Sequence, residues 1–380
     1  MAVAEFDLLC RIVRPRPDLA HIRERIAAGI DFEMLADLAE AHGVRPAFLL
    51  TLAALSWEGV PEGIRAVLRR FQQTHLVRTL ALAEEACRVG RLFSDAGIRF
   101  AVFKGPALAA YLYGDLSRRQ YSDIDVIVPP EQMAKAEALL ASLGYGNRQG
   151  DRTFRQAFLS FQRQYSFTRP GFDFAIDLHW HFSGRHVPFP LQPEEVWSSL
   201  VSIEVGACTV PSLSDADLAL LLAGHGTKES WKSVAWVCDF AMLIDRKSDL
   251  DWAEVHRRAQ RQRCGDAVLL GCAMAWDLLA TPVPASLSAA VAGNARVERI
   301  AASLIASMRE GLVHFPKVKP NLLDIDLCER RIDRLRLLAS LAVTPTPSDY
   351  HALPLPRALW STYYLIRPVR QVLKAVRRRA

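Results

Sequence analysis

The sequence predicts an α+β protein: a small mixed β-sheet domain at residues 93–210, flanked by an N-terminal helical region (1–92) and a C-terminal helical region (211–380). Three observations predict it. Up to about residue 92, apolar residues recur at three- and four-residue intervals with no strand signal between them. From Ile98 the texture changes to short apolar runs alternating with helical stretches. From Ser212 onward the helical spacing returns.

Each element follows in order. HIRERIAAGIDFEMLADLAEAHGVRPAFLLTLAAL and GIRAVLRRFQQTHLVRTLALAEEACRVGRLFSDAG supply the first helices. RFAVFKG predicts a short strand, GPALAAYLYG a helix, YSDIDVIV a second strand, and PEQMAKAEALLASLG a helix opened by its prolines. QRQYSFTRP and FDFAIDLHWHF are β-type segments joined by Pro170 and Gly171, the composition of a tight turn, and predict a hairpin. DADLALLLAGHGTKESWKSVAWVCDFAMLI and CGDAVLLGCAMAWDLLA are helical, and the chain closes on the basic RPVRQVLKAVRRRA. There is no internal repeat.

A chain of 380 residues accommodates two or three domains. Its 51% apolar and 23% charged content fits an ordinary soluble protein, and the net charge of +6 mildly favours anionic partners, nucleotides and nucleic acid included, without selecting among them. The seven cysteines, at 10, 87, 208, 238, 264, 272 and 328, show no Cys-x-x-Cys spacing. They predict neither a disulfide framework nor a zinc cluster, and hence a reducing cytoplasm. MAVAEFDLLCRIVRPRP lacks the basic-then-apolar order of a secretion signal, and the longest apolar run, 267–276, is too short to span a bilayer, so no membrane insertion is expected.

The chemistry begins in YSDIDVIV. Strand side chains alternate between faces, so Asp123 and Asp125 point the same way while Ile124 and Val126 point the other. Two carboxylates held that close resist ionising together unless a cation lies between them, and Mg²⁺, or Mn²⁺, suits such hard oxygen ligands. Asp177, on the FAIDLHWHF strand, supplies a third acid. Three carboxylates from two strands, preceded by a strand, a glycine turn and a helix, form the arrangement that two-metal nucleotidyl transfer requires. Gly105 stands where a strand gives way to a helix, a place that favours an anion such as a triphosphate, with Lys104 and Arg119 adding positive charge on either side. Each has a plain structural alternative: a turn for Gly105, a solvated edge for Lys104, an acid's partner for Arg119.

Taken together, strand-KG-helix, then R-x-x-x-D-I-D, then I-D-L-H resembles the DNA polymerase β-like nucleotidyltransferase superfamily, in particular its uncharacterised bacterial nucleotidyltransferase branch. HGVRP at 42–46, HGTKESWKSVAWVCDF at 225–240 and PLPRALWSTYYLIRPVR also look like that branch, so the resemblance covers most of the chain. It implies Asp123 and Asp125 as shared metal ligands and Asp177 as general base or second-metal ligand. It also implies that Lys104 and Gly105 face the triphosphate, and that Arg119 reaches phosphate or braces the acidic strand. One departure stands out. The wider superfamily carries Gly-Ser after its first strand, whereas Pro106 here offers neither the hydroxyl nor an N–H, which leaves the grip on phosphate to Lys104.

The expected activity is therefore Mg²⁺-dependent transfer of a nucleoside monophosphate from an NTP, ATP among them, to a hydroxyl or phosphate of an acceptor, with release of pyrophosphate. The acceptor can be a small molecule, a peptide, a protein or tRNA. Two rivals stand beside it. The Pro106 departure motivates a catalytically weak nucleotide-binding regulator. If the strand stays regular, Asp177, His179 and His181 share a face and would suit a Zn²⁺, Mn²⁺ or Fe hydrolase. Further along, His225, Lys228, Lys232 and Asp239 lie in or beside helices, with Lys232 and Asp239 seven apart on one helical face. Either Lys228 or Lys232 caps the phosphates from across a cleft, or Asp239 pairs with a lysine while Trp231 and Trp236 are core. A second Asp-x-Asp, at 324 and 326, has no glycine turn before it and reads as a helix start. The basic run 367–379 reads as a solvated tail.

Overall fold

In the computed structural model, residues 2–147, 163–183, 188–310, 325–328 and 330–376 are described. The N-terminal region is helical as expected: α1 (Ala2–Ile12), α2 (Leu19–Ala27), α3 (Phe32–Ala41), α4 (Arg45–Ala54) and α5 (Glu62–Asp95). Asp18 and Asp31 cap α2 and α3 by accepting from the backbone N–H of His21 and Met34. At 34 residues, α5 is long enough to serve two cores. Its first half contributes Leu68 to the core of the helical regions, and its second half contributes Leu82, Ala86, Val89 and Phe93 to the core beneath the sheet.

Five short strands form that sheet: β1 (Ala101–Val102), β2 (Asp123–Ile127), β3 (Gly146–Asn147), β4 (Gln164–Thr168) and β5 (Ala175–His179), in the order β1-β2-β5-β4-β3. β2 and β5 run parallel and the other pairs antiparallel, which makes the sheet mixed. The hairpin expected around Pro170 and Gly171 is β4–β5, with Gly171 at φ +82° in its turn. One face of β2 and β5, bearing Ile124, Val126, Ile176 and Leu178, is fully buried against α5 and α7 (Met133–Ser142). On the opposite face, Phe103 and Ile127 join the core of the helical regions, and the aspartates lie between the two.

Beyond the sheet come α8 (Pro193–Val196), α9 (Asp215–Lys228), α10 (Val234–Arg246), α11 (Trp252–Arg261), α12 (Gly265–Leu279), α13 (Ser288–Ala292) and α14 (Ala295–Arg309). They are followed by α15 (Arg331–Val343), α16 (Pro347–Ala352) and α17 (Tyr363–Val376). The apolar run at 267–276 lies in α12, which α9, α10, α11 and α14 surround. No helix among the described residues is long and apolar enough to cross a membrane.

GPALAAYLYG is helical as expected, as α6 (Gly105–Leu108) followed directly by a π-helical turn, Ala109–Tyr113, that Gly114 ends at φ +68°. Other expectations are corrected. A second hairpin, β6 (Val201–Val205) with β7 (Cys208–Ser212), was not anticipated, so Ser212 closes a strand and Ser214 caps the next helix. Arg367 and Arg370 pair with Asp349 instead of forming a solvated tail, and 377–379 lie outside the described residues. Asp324 lies outside them as well, while Asp326 is exposed and pairs with Arg334.

The cysteines also depart from expectation. Cys87 on α5 and Cys208 at the start of β7 form a disulfide across 121 residues, leaving Cys10, Cys238, Cys264, Cys272 and Cys328 as thiols. Sequence spacing carries no trace of this pair, because packing the β6–β7 hairpin on α5 brings the two together. Thiol titration of the denatured protein should find five thiols before reduction and seven after. Cys208→Ser should lower unfolding stability by about 2–5 kcal/mol in urea melts without reductant.

Candidate active site

The parallel pairing of β2 with β5 sets Asp125 directly beside Asp177 and Asp123 beside Ala175. Neighbours in register point to the same face, so the three carboxylates converge. His179, two residues after Asp177, shares that face, and its Nε2 lies 2.9 Å from Asp125 Oδ1. Ionised Asp125 can only accept, so the ring proton resides on Nε2. From β4, Gln164 donates its Nε2 to Asp177 Oδ2 at 3.1 Å.

Asp123, Asp125, Asp177, Lys104, Gly105, Arg119 and Lys228 all line one cavity of about 350 Å³, together with His179 and His225. Lys232 does not line it. Ser233 caps α10, so Lys232 precedes that helix instead of sharing a face with Asp239, and it pairs with Glu229 at 3.6 Å. β5 ends at His179, and His181 is absent from the cavity wall, which goes against the rival hydrolase trio of Asp177, His179 and His181. Among the described residues, Asp125, Asp177 and His179 form a group that could ligate a cation, their ligand atoms lying within 4.8 Å of one another; Asp123 lies outside it.

The charges are unevenly settled. Burial opposes ionisation of Asp125, but Lys104 and the hydrogen bond from His179 outweigh it and hold this carboxyl well below the usual range. Burial, then Asp125 and Asp177, push Asp123 up to about 7 despite Lys104 and Arg119. Burial and the Asp125 charge also raise Asp177. One carboxylate of the three thus ionises readily, and full ionisation calls for a cation among them.

Lys104 is held from the far side. Burial and the charges of Lys104 and Lys228 depress the pKa of His225 well below its usual value, so the ring is neutral and its Nδ1 accepts from the Lys104 ammonium at 3.3 Å. Gly105 takes φ +53°, and a Cβ there would collide with the carbonyl oxygen of Asp123, so the position requires glycine. Pro106 occupies the first turn of α6 and is buried.

Arg119 braces the loop before β2. Its guanidinium grips Asp239 of α10 through Nε to Oδ1 and Nη2 to Oδ2, both at 2.9 Å, and the Tyr113 hydroxyl donates to the same carboxylate at 2.8 Å. Asp239 therefore pairs with an arginine, not a lysine. On α5, His75 Nε2 donates to the carbonyls of Ser117 and Arg119 at 3.2 and 3.0 Å, fixing that loop. Neither Tyr113, His75 nor Gln164 was anticipated. The register that sets Gln164 opposite His179 across β4–β5 does not follow from a tight turn at Pro170 and Gly171, and nothing in the sequence marks His75 among its helical neighbours.

A family model described as uncharacterised nucleotidyltransferase matches residues 28–280. No curated protein matches the chain. Similar solved structures include the solution structure of the antibiotic-resistance factor ANT(2'')-Ia, at 14% identity, covering 51% of this chain and 92% of that one with a TM-score of 0.32. A crystal structure of an antigenic nucleotidyltransferase-like protein from Paracoccidioides brasiliensis is 16% identical, covering 56% and 97% with a TM-score of 0.31.

Removing Arg119 would leave Asp239 buried and unpaired. Arg119→Met should therefore cost about 3–5 kcal/mol in urea unfolding, against about 1 kcal/mol for Tyr113→Phe, which loses a single hydrogen bond.

Proposed function

The chain belongs to the family of uncharacterised nucleotidyltransferases, and from that membership we propose that it transfers a nucleoside monophosphate from an NTP, ATP among them, to an acceptor hydroxyl or phosphate and releases pyrophosphate. The observation that carries this reading is the register of β2 on β5, which sets Asp125 beside Asp177 with Asp123 on the same face. We assign the catalytic domain to 93–210, with the helical flanks as the far wall of the cleft.

The donor set fits a divalent cation: the ligand atoms of Asp125, Asp177 and His179 lie within 4.8 Å of one another, Asp123 lines the same cavity outside that cluster, and Asp123 and Asp177 are reluctant to ionise without added positive charge. Asp123, Asp125 and Asp177 would hold Mg²⁺ or Mn²⁺, which when bound supplies charge neutralisation for the triphosphate and acidifies the attacking hydroxyl. His179 fixes the orientation of Asp125. Asp177, made more basic by burial and by Asp125, is the candidate to take the acceptor's proton. Lys104, steadied by neutral His225, brings an ammonium to the phosphates, and Lys228 of α9 approaches from across the cavity. The engagement of Arg119 with Asp239 supports a bracing role over direct contact with phosphate.

The second reading, a nucleotide-binding regulator without turnover, is favoured by Pro106, which leaves the first turn of α6 without the N–H and hydroxyl that would grip phosphate. Cytoplasmic placement belongs to the main reading and is in tension with the Cys87–Cys208 bridge, which a reducing compartment would open. The thiol count decides between them.

In equilibrium titrations, the wild-type protein should bind ATP or another NTP only with Mg²⁺ or Mn²⁺. Asp125→Asn and Asp177→Asn should abolish that binding and all pyrophosphate release. His179→Ala should lose about 10–100-fold in metal affinity or activity, as expected for a group that orients a ligand. Metal-dependent NTP binding with no turnover across a broad acceptor panel selects the regulator. Undiminished binding in Asp125→Asn rejects both readings.

A further inference from the structure

Beside the aspartate cavity lies a larger one of about 700 Å³, and two loop residues, Arg119 and Gln120, line both. Val44, Pro46 and Leu50 at α4 and Met242 of α10 give it an apolar lining. Its charged lining is five arginines, Arg14, Arg16, Arg118, Arg119 and Arg246, against two carboxylates, Asp239 and Asp245. Both carboxylates are already matched: Asp239 by Arg119 at 2.9 Å and Asp245 by Arg16 at 2.8 Å. Subtracting those pairs leaves Arg14, Arg118 and Arg246, none of which has a carboxylate within ion-pair distance among the described residues. The buried Nε of Arg14 also lacks a hydrogen-bond partner.

Arginines without a close ion-pair partner around a concave, partly apolar space, with Asp18 and Asp115 only at longer range from Arg14 and Arg118, are the complement of an anion attached to an apolar body. Guanidinium forks match phosphate and carboxylate alike. The volume lies within the range of about 300–1,000 Å³ usual for small-molecule sites, which points away from a folded protein or tRNA filling it. Resting on the nucleotidyl-transfer reading, we propose that this second cavity is the acceptor site and that the acceptor is a small amphipathic molecule carrying a phosphate or carboxylate on an apolar or aromatic body. The shared loop at 119–120 leads directly into β2, so a molecule anchored by its anion among the arginines turns its other end toward the aspartates. There its hydroxyl oxygen attacks the α-phosphorus of the NTP. The bond from that phosphorus to the bridging oxygen breaks, pyrophosphate departs with the bonding electrons, and the hydroxyl proton passes to Asp177.

Isothermal titration with phenyl phosphate, benzoate and uncharged phenol tests this, with and without saturating Mg²⁺ and the analogue α,β-methylene-ATP. Phenyl phosphate or benzoate should bind equally well in both conditions, and phenol should bind about tenfold more weakly or worse. Arg118 and Arg246 are exposed, so the double variant Arg118→Gln/Arg246→Gln should melt like wild type. It should lose about tenfold or more in anion affinity while binding the nucleotide analogue normally. Asp125→Asn should show the reverse pattern. The acceptor-site assignment is overturned by absence of anion binding, by competition between phenyl phosphate and the analogue, or by anion binding that survives in the double variant. Failure of the transfer reading looks different: wild-type protein that does not bind the analogue with Mg²⁺, whatever the phenyl phosphate result.

Discussion

Two carboxyl groups, Asp125 and Asp177, are held at paired positions in the parallel register of β2 on β5 although burial and the Asp125 charge make Asp177 harder to ionise. The opposite face of the same strands enforces this. Ile124, Val126, Ile176 and Leu178 are fully buried, and each such side chain contributes roughly 1.5–3 kcal/mol by leaving water. Sliding β5 by one residue would drive the carboxylate of Asp177 into that core and turn the aliphatic residues outward. The hydrophobic term of several kcal/mol therefore holds an electrostatically unfavourable pair in place, and the strain is available to be relieved by a cation.

The helical regions complete the arrangement. Two partly buried polar links tie the sheet domain to α9 and α10: Lys104 to His225, and Arg119 to Asp239 with Tyr113. The forked, charge-assisted Arg119–Asp239 pair is the stronger because Asp239 is buried, Arg119 is largely covered and Tyr113 satisfies a further lone pair. His75 adds a third anchor from α5 by holding the backbone just before β2. The position of Asp123 and Asp125 thus depends on α5, α10 and the sheet together, all of which lie within the family match at residues 28–280.

Local periodicity and motif spacing made the layered α+β order legible, and so was the convergence of Asp123, Asp125 and Asp177, because alternation along a strand and the hairpin at Pro170–Gly171 are short-range properties. What stayed hidden depends on contacts between distant segments. Cys87 meets Cys208 only once β6–β7 lies on α5. Asp239 lies seven positions from Lys232, yet its partner is Arg119, 120 residues away, because Ser233 starts the helix one position too late for the lysine to share its face. His181 would share the face of Asp177 and His179 only along a regular strand, and β5 ends at His179, a boundary that alternation alone does not mark.

Pro106 bears on how an anion would be held here. A proline in the first turn of α6 removes a backbone donor where helix ends ordinarily grip phosphate, so charge must come from a side chain. Lys104 is adjacent, but a lysine ammonium is a flexible point charge that would otherwise collapse onto the nearest carboxylate, Asp125 included. Neutral His225 prevents that collapse. Accepting from Lys104 at 3.3 Å, it draws the ammonium toward α9 while His179 engages Asp125 from β5. Each charged group is held by an imidazole on its own side, and the space between cation and carboxylates stays open to a phosphate and its metal. Under the proposed function, the burial that keeps His225 uncharged would therefore serve the anion grip, because a protonated ring could not accept from Lys104 and would repel it.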